Sequence, residues 1–317
     1  MRVTENSSYG AVRESIRQSK ERMEGLQQQS ATLRKLNQPS DDPVGAAKVL
    51  ELRTDKLNND QYQMNAKIAE AFLDNSDHAL ADLSEIIVRA KEIAIGQASA
   101  ASSSPETRLS VSEEVGQLFQ QAVSVANRKV GDRYLFGGYK TRTAPVTPEG
   151  EYVGDDGQMM VEIANEVYLS MNIPGNEIFN TQPKLSNQGQ NDYSELAQPT
   201  TEEGPENVNL FNELQKFRVA LLTGDVDGIQ STLDSFDQVH SRLIATRAKL
   251  GSRVQGLQYT SQAIERHNVT NAILSSSIED ADMAQVMSDL GKEETVFRSS
   301  LASSKRLIQP TLLDFLR

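Results

Sequence analysis

The chain has 317 residues, no cysteine, no tryptophan and a formal charge of −12 at pH 7. Without cysteine there are no disulfide staples, thiolate metal sites or cysteine nucleophiles, and no run of about 18 apolar residues is present to span a membrane. A hydrophobic share of 38% with only 5% aromatics is low for one large core and suits helices that meet along narrow seams.

The first helix is predicted over residues 8–36. Val12, Ile16, Ser19, Met23, Leu26, Ser30 and Leu33 recur at alternating spacings of four and three, a heptad row that seeks a partner helix. No apolar stretch follows the basic start of Met1-Arg2-Val3-Thr4-Glu5-Asn6, so any export is expected to need no cleaved signal peptide. The helix closes at Asn37-Gln38-Pro39-Ser40-Asp41-Asp42-Pro43. Pro39 disfavours helix at Gln38, while Asp42 is placed to cap a second helix with Pro43 at its first position.

That second helix is predicted to reach about Ile95, with Leu73, Ser76, Leu80, Leu83, Ile87, Ala90 and Ala94 on its seam. Small residues from Gln97 to Ser104 form a turn. Ser104-Pro105-Glu106 opens a third helix that turns Val111, Val115, Leu118, Ala122 and Val125 inward.

From Gly131 the pattern changes. Arg133-Tyr134-Leu135-Phe136-Gly137-Gly138-Tyr139 is aromatic and glycine-punctuated, and short β-type runs follow at 151–153, 159–163 and 167–173, with Pro174-Gly175 read as a turn. Residues 141–210 hold twelve acidic residues against two basic ones, Arg142 and Lys184, and six of the ten prolines. This acidic surface would repel nucleic acid. It reads as a small β-rich insertion with loose borders near 185–206.

Helix resumes near Asn209 and breaks at Thr223-Gly224-Asp225. A long heptad row then runs through Ile229, Leu233, Phe236, His240, Leu243, Arg247, Leu250, Val254, Leu257, Ser261, Ile264 and Asn268. Its polar members would fix register at a cost in stability. Ser275-Ser276-Ser277-Ile278-Glu279-Asp280 has the form of a capping box and is expected to open the last helix. There Met283, Met287, Leu290, Glu294, Phe297, Leu301, Ser304 and Ile308 form the closing row, ahead of Pro310, Leu312 and Leu313.

The expected fold is mainly α: long heptad-patterned helices in an elongated coiled-coil or helix-bundle rod, with a small inserted β-rich domain. Residues 1–42 and 278–317 would be terminal helices, 43–135 and 207–277 the bundle, and 136–206 the outward insertion. A narrow seam does not by itself offset ordering entropy, so the terminal helices are expected to lack a partner and stay largely disordered in the free monomer.

No catalytic constellation emerges. His78, His240 and His267 lack ligand spacing, and Gly251 and Gly256 are followed by Leu257-Gln258 where a phosphate loop needs Lys and Ser or Thr. Asp225-Val226-Asp227-Gly228 lacks the remaining calcium-loop positions. Asp41-Asp42 and the Asp280/Asp282 pair sit at expected helix starts, where acidic groups cap free N–H groups. The chain is therefore read as a non-enzyme with no cofactor.

Two motifs then point to a family. Asn37-Gln38-Pro39-Ser40-Asp41-Asp42-Pro43-Val44-Gly45-Ala46 resembles a signature of the flagellin superfamily, in the form found in its hook-associated protein 3 branch, the hook–filament junction proteins. Ser277-Ile278-Glu279-Asp280-Ala281-Asp282 resembles the superfamily's C-terminal signature, which filament flagellin shares, and the run Arg133–Thr141 resembles the end of its first helical region. Residues 141–206 match nothing in it. Leu33-Arg34-Lys35-Leu36 ahead of the loop, Pro43 within it and the Tyr134–Tyr139 run favour the junction branch, and the C-terminal signature leaves filament flagellin open. A non-flagellar coiled-coil scaffold could carry the heptads but would not need the capped loops.

The resemblance implies a structural axial protein of the flagellum, placed outside the cell by the flagellum's own export apparatus and joining hook to filament. It implies as partners the first hook-associated protein, flagellin, further copies in a ring and an export chaperone, with neither nucleic acid nor membrane insertion. Assembly would rest on Val12, Ile16, Met23, Leu26, Leu33, Met283, Met287, Leu290, Phe297, Leu301, Ile308, Leu312 and Leu313. The motif loops would contribute Asn37, Pro39, Ser40, Asp41, Asp42, Pro43, Ile278, Glu279, Asp280 and Asp282.

Overall fold

The heptad rows become long helices. The computed structural model describes residues 2–98, 105–179 and 208–308. In chain order these form α1 (Arg2–Thr32), α2 (Pro43–Ala98), α3 (Pro105–Ala126), β1 (Lys129–Val130), β2 (Arg133–Tyr134), β3 (Met160–Ala164), β4 (Val167–Ser170), α4 (Gly175–Phe179), α5 (Leu210–Thr223), α6 (Val226–Glu279) and α7 (Met283–Ile308). The architecture is mainly α, with two small antiparallel hairpins, β1–β2 and β3–β4.

Helix boundaries follow local chemistry. Pro43 and Pro105 open α2 and α3 at a position where a missing N–H is harmless. Asp42 accepts from Val44 N and Gly45 N at 3.1 and 3.0 Å, a cap worth about 1 kcal/mol. Asn209 caps α5 through Phe211 N and Asn212 N, and Gly224, at φ 71°, ends it in the left-handed conformation. The second helix runs three residues past Ile95, to Ala98.

The α6 row is regular. Ile229, Phe236, Leu243, Leu250, Leu257, Ile264 and Asn271 stand seven residues apart and are all buried. The expected partners between them, Leu233, Arg247, Val254, Ser261 and Asn268, are half-buried flanks.

Two compact units divide the chain, residues 1–60 with 265–317, and residues 61–264. In the first, α1 packs antiparallel on α7, and the start of α2 lies against the end of α6, where Asn59 Nδ2 donates to Asn268 Oδ1 at 2.8 Å. In the second, the inward faces of α2, α3, α5 and α6 enclose the main core. An aromatic chain threads it: Phe136 meets Phe179 at 5.8 Å between centroids, Phe179 meets Phe211 at 5.2 Å, and Phe211 meets Phe119 at 6.2 Å. Such edge and tilted contacts add to the area these rings bury.

The β-type runs are realised in part. The 159–163 run becomes β3 and the 167–173 run becomes β4, cut short at Ser170, while 151–153 contributes only a bridge between Val146 and Tyr152. An earlier hairpin, β1–β2, turns at Gly131, whose φ of 63° suits glycine. Pro174-Gly175 is not a simple turn, because Gly175 begins α4, whose Ile178 and Phe179 are drawn into the core. The 185–206 stretch lies outside the described residues.

The capping-box expectation at Ser275 is corrected as well. Residues 275–279 complete α6, and the break falls at Asp280–Asp282. Asp282 is the cap of α7, accepting from Ala284 N at 2.9 Å and Gln285 N at 3.3 Å. Serine tolerates helix, and Ser277 Oγ donates back to Leu274 O at 2.8 Å within the same turn, so the serine run does not end it.

Candidate assembly seam and motif joint

The α1–α7 seam is narrow and partly polar. From α1 it takes Val12, Ile16, Met23, Leu26 and Ser30, all half-buried, around a fully buried Ser19. From α7 it takes Met283, Val286, Leu290, Glu293, Phe297, Ser300 and Ser304, at alternating spacings of three and four. Ser19 Oγ donates to Glu293 at 3.0 Å, and Arg22 pairs with the other oxygen of that carboxylate at 2.9 Å. A polar group inside a heptad seam sets register, because only one alignment satisfies it.

Leu33 and Leu301 lie away from the seam, and Met287 only borders it, its Sδ accepting from Ser30 Oγ at 3.9 Å. Leu33 follows the last residue of α1 with φ 60° and is 57% exposed. Met287 and Leu301 are 55% and 45% exposed. A row through Met283, Leu290, Phe297 and Ser304 can be completed by 287, 294 and 301 on one flank or by 286, 293 and 300 on the other. Apolarity at 287 and 301 favours the first choice, but the chain uses the second, where Glu293 meets Ser19 and Arg22. Val286, Glu293 and Ser300 were thus missed; the signal for them was the buried-type Ser19 opposite, which needs a polar partner. Ile308 closes α7, and Leu312 and Leu313 lie outside the described residues.

The two motif loops meet. In the first, Thr32 Oγ1 donates to Asn37 Oδ1 at 2.7 Å and Asn37 Nδ2 to Arg34 O at 3.1 Å. Asp41 Oδ2 gathers Asn37 N and Gln38 N at 3.1 and 2.9 Å, so Asp41 shapes the turn while Asp42 caps α2. Pro39 and Ser40 occupy the bend between them, with Ser40 Oγ 3.4 Å from Gln38 Oε1. Gly45 brings the start of α2 against Ile278, since a Cβ there would lie 3.1 Å from Ile278 Cγ2 and 2.5 Å from Asp42 Oδ2.

In the second loop Glu279 O accepts from Lys35 N at 2.7 Å, and Ala281 N donates to Leu33 O at 3.1 Å, an antiparallel bridge that pairs Arg34 with Asp280. Glu279, 8% exposed, binds Arg34 at 2.9 Å and Arg53 at 2.6 Å through one carboxylate oxygen. Asp280 accepts from Ser276 Oγ. Of the two acidic pairs, Asp42 and Asp282 are caps, while Asp41 and Asp280 tie their own loops. Among the described residues no three His, Cys, Asp or Glu side chains gather as a metal site, and no helix is long and apolar enough to cross a membrane.

Residues 3–141 match the family described as the bacterial flagellin N-terminal helical region. Over that stretch the chain is similar to the flagellin superfamily. It is 24% identical to a flagellin of Listeria monocytogenes over 95% of this chain and 94% of that one. It is also 24% identical to flagellar hook-associated protein 3 of Escherichia coli, over 86% of each chain. The flagellar junction protein FlgL of Legionella pneumophila shares the fold, with a TM-score of 0.57 over 74% of this chain and all of its own, at 17% identity. The proteins it is similar to are flagellins and flagellar hook-associated proteins. The joined motif loops and the paired terminal helices are built by the segments that carried the resemblance.

Proposed function

We propose that this chain is the axial adaptor between the flagellar hook and filament, and that its terminal helices do the joining. The observation that carries the reading is the division of labour on α7. One flank of its heptad row is used against α1, and the other leaves Leu301, Val296 and most of Met287 exposed, with only Met287 Sδ reaching α1 at Ser30 Oγ, 3.9 Å away. A helix with two apolar flanks can hold its own partner and meet a neighbour at the same time. Val12, Ile16, Met23, Leu26, Met283, Leu290 and Phe297 would keep the terminal pair together, while Leu33, Met287 and Leu301 face neighbouring subunits.

In this reading the partners are the first hook-associated protein on one side, flagellin on the other, and further copies of the chain in a ring. An export chaperone would cover the apolar end of α7 before assembly, and the acidic insertion would project outward. The form of the Asn37–Pro43 loop supports the junction role over that of filament flagellin, the second reading, which the equal identity to a flagellin keeps in play.

Imaging a label attached to this protein in intact flagella separates the two. The junction role requires one focus between hook and filament. Label along the whole filament would make it a flagellin, and absence of flagellar label would overturn both.

A further inference from the structure

We propose that Glu279 is a positioning residue: one carboxylate that latches the α1–α2 connection and α2 to the end of α6, and so fixes where the terminal helices depart. Arg34, Arg53 and Glu279 all belong to the first compact unit.

Glu279 is an unfavourable residue for its place. It is the last residue of the 54-residue helix α6, where the dipole disfavours an anion, and the final turn of that helix carries no basic residue to offset it. It is also buried, which penalises charge unless the charge is paired. Both costs are met from outside the helix. Arg34 comes from the loop that follows α1, and Arg53 from the third turn of α2. Each arginine is about half exposed, so each retains water on one side and loses little by binding. An open cavity of about 300 Å³ lies beside them, lined in part by Lys56, Asn271 and Ser275.

The backbone alone does not explain the joint. Only the bonds from Lys35 N to Glu279 O and from Ala281 N to Leu33 O form a close ladder, and a pairing this short is marginal in water. Two charge-assisted bonds to the same carboxylate are the stronger tie. Because Arg34 and Arg53 lie on separate segments, the shared oxygen couples the path out of α1 to the frame of α2 and α6. Removal of either arginine leaves the carboxylate one partner. Removal of the carboxylate's charge releases both arms at once.

The test is hydrogen exchange on the full chain, comparing wild type with Glu279→Gln, which keeps the volume and the backbone ladder. The amides of Lys35 and Ala281, and those of α1 and α7, should exchange about ten-fold faster or more in the variant, with the Leu243–Leu257 stretch of α6 unchanged. Arg34→Gln should accelerate exchange in wild type and add nothing in the Glu279→Gln background. Unchanged exchange in Glu279→Gln would overturn the latch, as would an Arg34→Gln effect of equal size in both backgrounds. Acceleration throughout α6 would make Glu279 a general stability residue, and unprotected Lys35 and Ala281 amides in the wild-type chain would mean that the joint is not closed. Either result also overturns it.

Discussion

Arg247 and Asp77 grip each other through two parallel hydrogen bonds, Nε to Oδ1 at 2.9 Å and Nη2 to Oδ2 at 3.1 Å, joining α6 to α2 across 170 positions of sequence. The carboxylate raises the pKa of the guanidinium, yet both side chains remain 38–39% exposed. Bidentate geometry fixes an alignment, while exposure limits its energy. A double-mutant cycle with Asp77→Asn and Arg247→Gln should give a coupling of about 0.5–1 kcal/mol that shrinks with added salt. Denaturant unfolding at two salt concentrations measures it. A coupling above the surface range would mean the pair is held more rigidly than its exposure indicates.

Leu33 carries strain that its side chain does not repay within the chain. At φ 60° a non-glycine residue is disfavoured by about 1–2 kcal/mol, and 57% exposure shows how little of the side chain is covered. Glycine would relax the backbone there and lose few contacts. Leu33→Gly should therefore stabilise the α1–α7 unit by about 1 kcal/mol, seen as slower exchange of the Ala281 amide that bonds Leu33 O. If Leu33 also faces a neighbouring subunit, the same variant will be more stable alone and weaker in assembly.

The limits of sequence reasoning show at particular residues. Asp42, Pro43, Pro105, Asn209 and Gly224 marked boundaries because capping and proline chemistry are local, and the α6 row declared itself through a period of seven. Glu279 did not: its motif reads as a loop, and only the fold brings Arg34 and Arg53 to it from 245 and 226 positions away in the chain. The same holds for α7. A heptad row specifies a helix face to within one flank, and the choice between 286/293/300 and 287/294/301 was made by Ser19 and Arg22 on another helix. The β1–β2 hairpin was missed because two-residue strands leave too little pattern to read.

Tyr152 supplies a pH dependence. Its hydroxyl lies 2.9 Å from the carbonyl oxygens of Phe136 and Asp155 and accepts from Gly175 N at 3.1 Å. Burial, aided by the charges of Asp156 and Asp155, pushes its pKa up to about 12, against the Gly175 bond, which lowers it. The unfolded chain releases this proton near pH 10 and the folded chain near pH 12, so between them the folded state binds more protons. The stabilising contribution is full below pH 10 and is lost as pH rises through 12. Ultraviolet titration should show a late phase that loses one tyrosine in Tyr152→Phe, which separates it from Tyr62, also raised, by burial and Glu162. A single phase near pH 10, unaltered by Tyr152→Phe, would contradict the buried setting.

The two flanks of α7 make stability and assembly separable. Val286 is 7% exposed in the seam with α1, whereas Met287, one position on, is 55% exposed. Val286→Asp places a charge among Met283, Leu290 and α1, and should open the terminal pair at a cost of several kcal/mol. Met287→Asp places the same charge mostly in solvent, losing only the weak contact with Ser30 Oγ, and should change the free chain's stability by no more than about 0.5 kcal/mol. If the outer flank meets neighbouring subunits, Met287→Asp will nevertheless remove the protein from flagella, because the charge would be buried only in the assembly. Measuring exchange in α1 for both variants, and flagellar incorporation of each, decides the matter. Normal incorporation of Met287→Asp would confine the role of α7 to its pairing with α1.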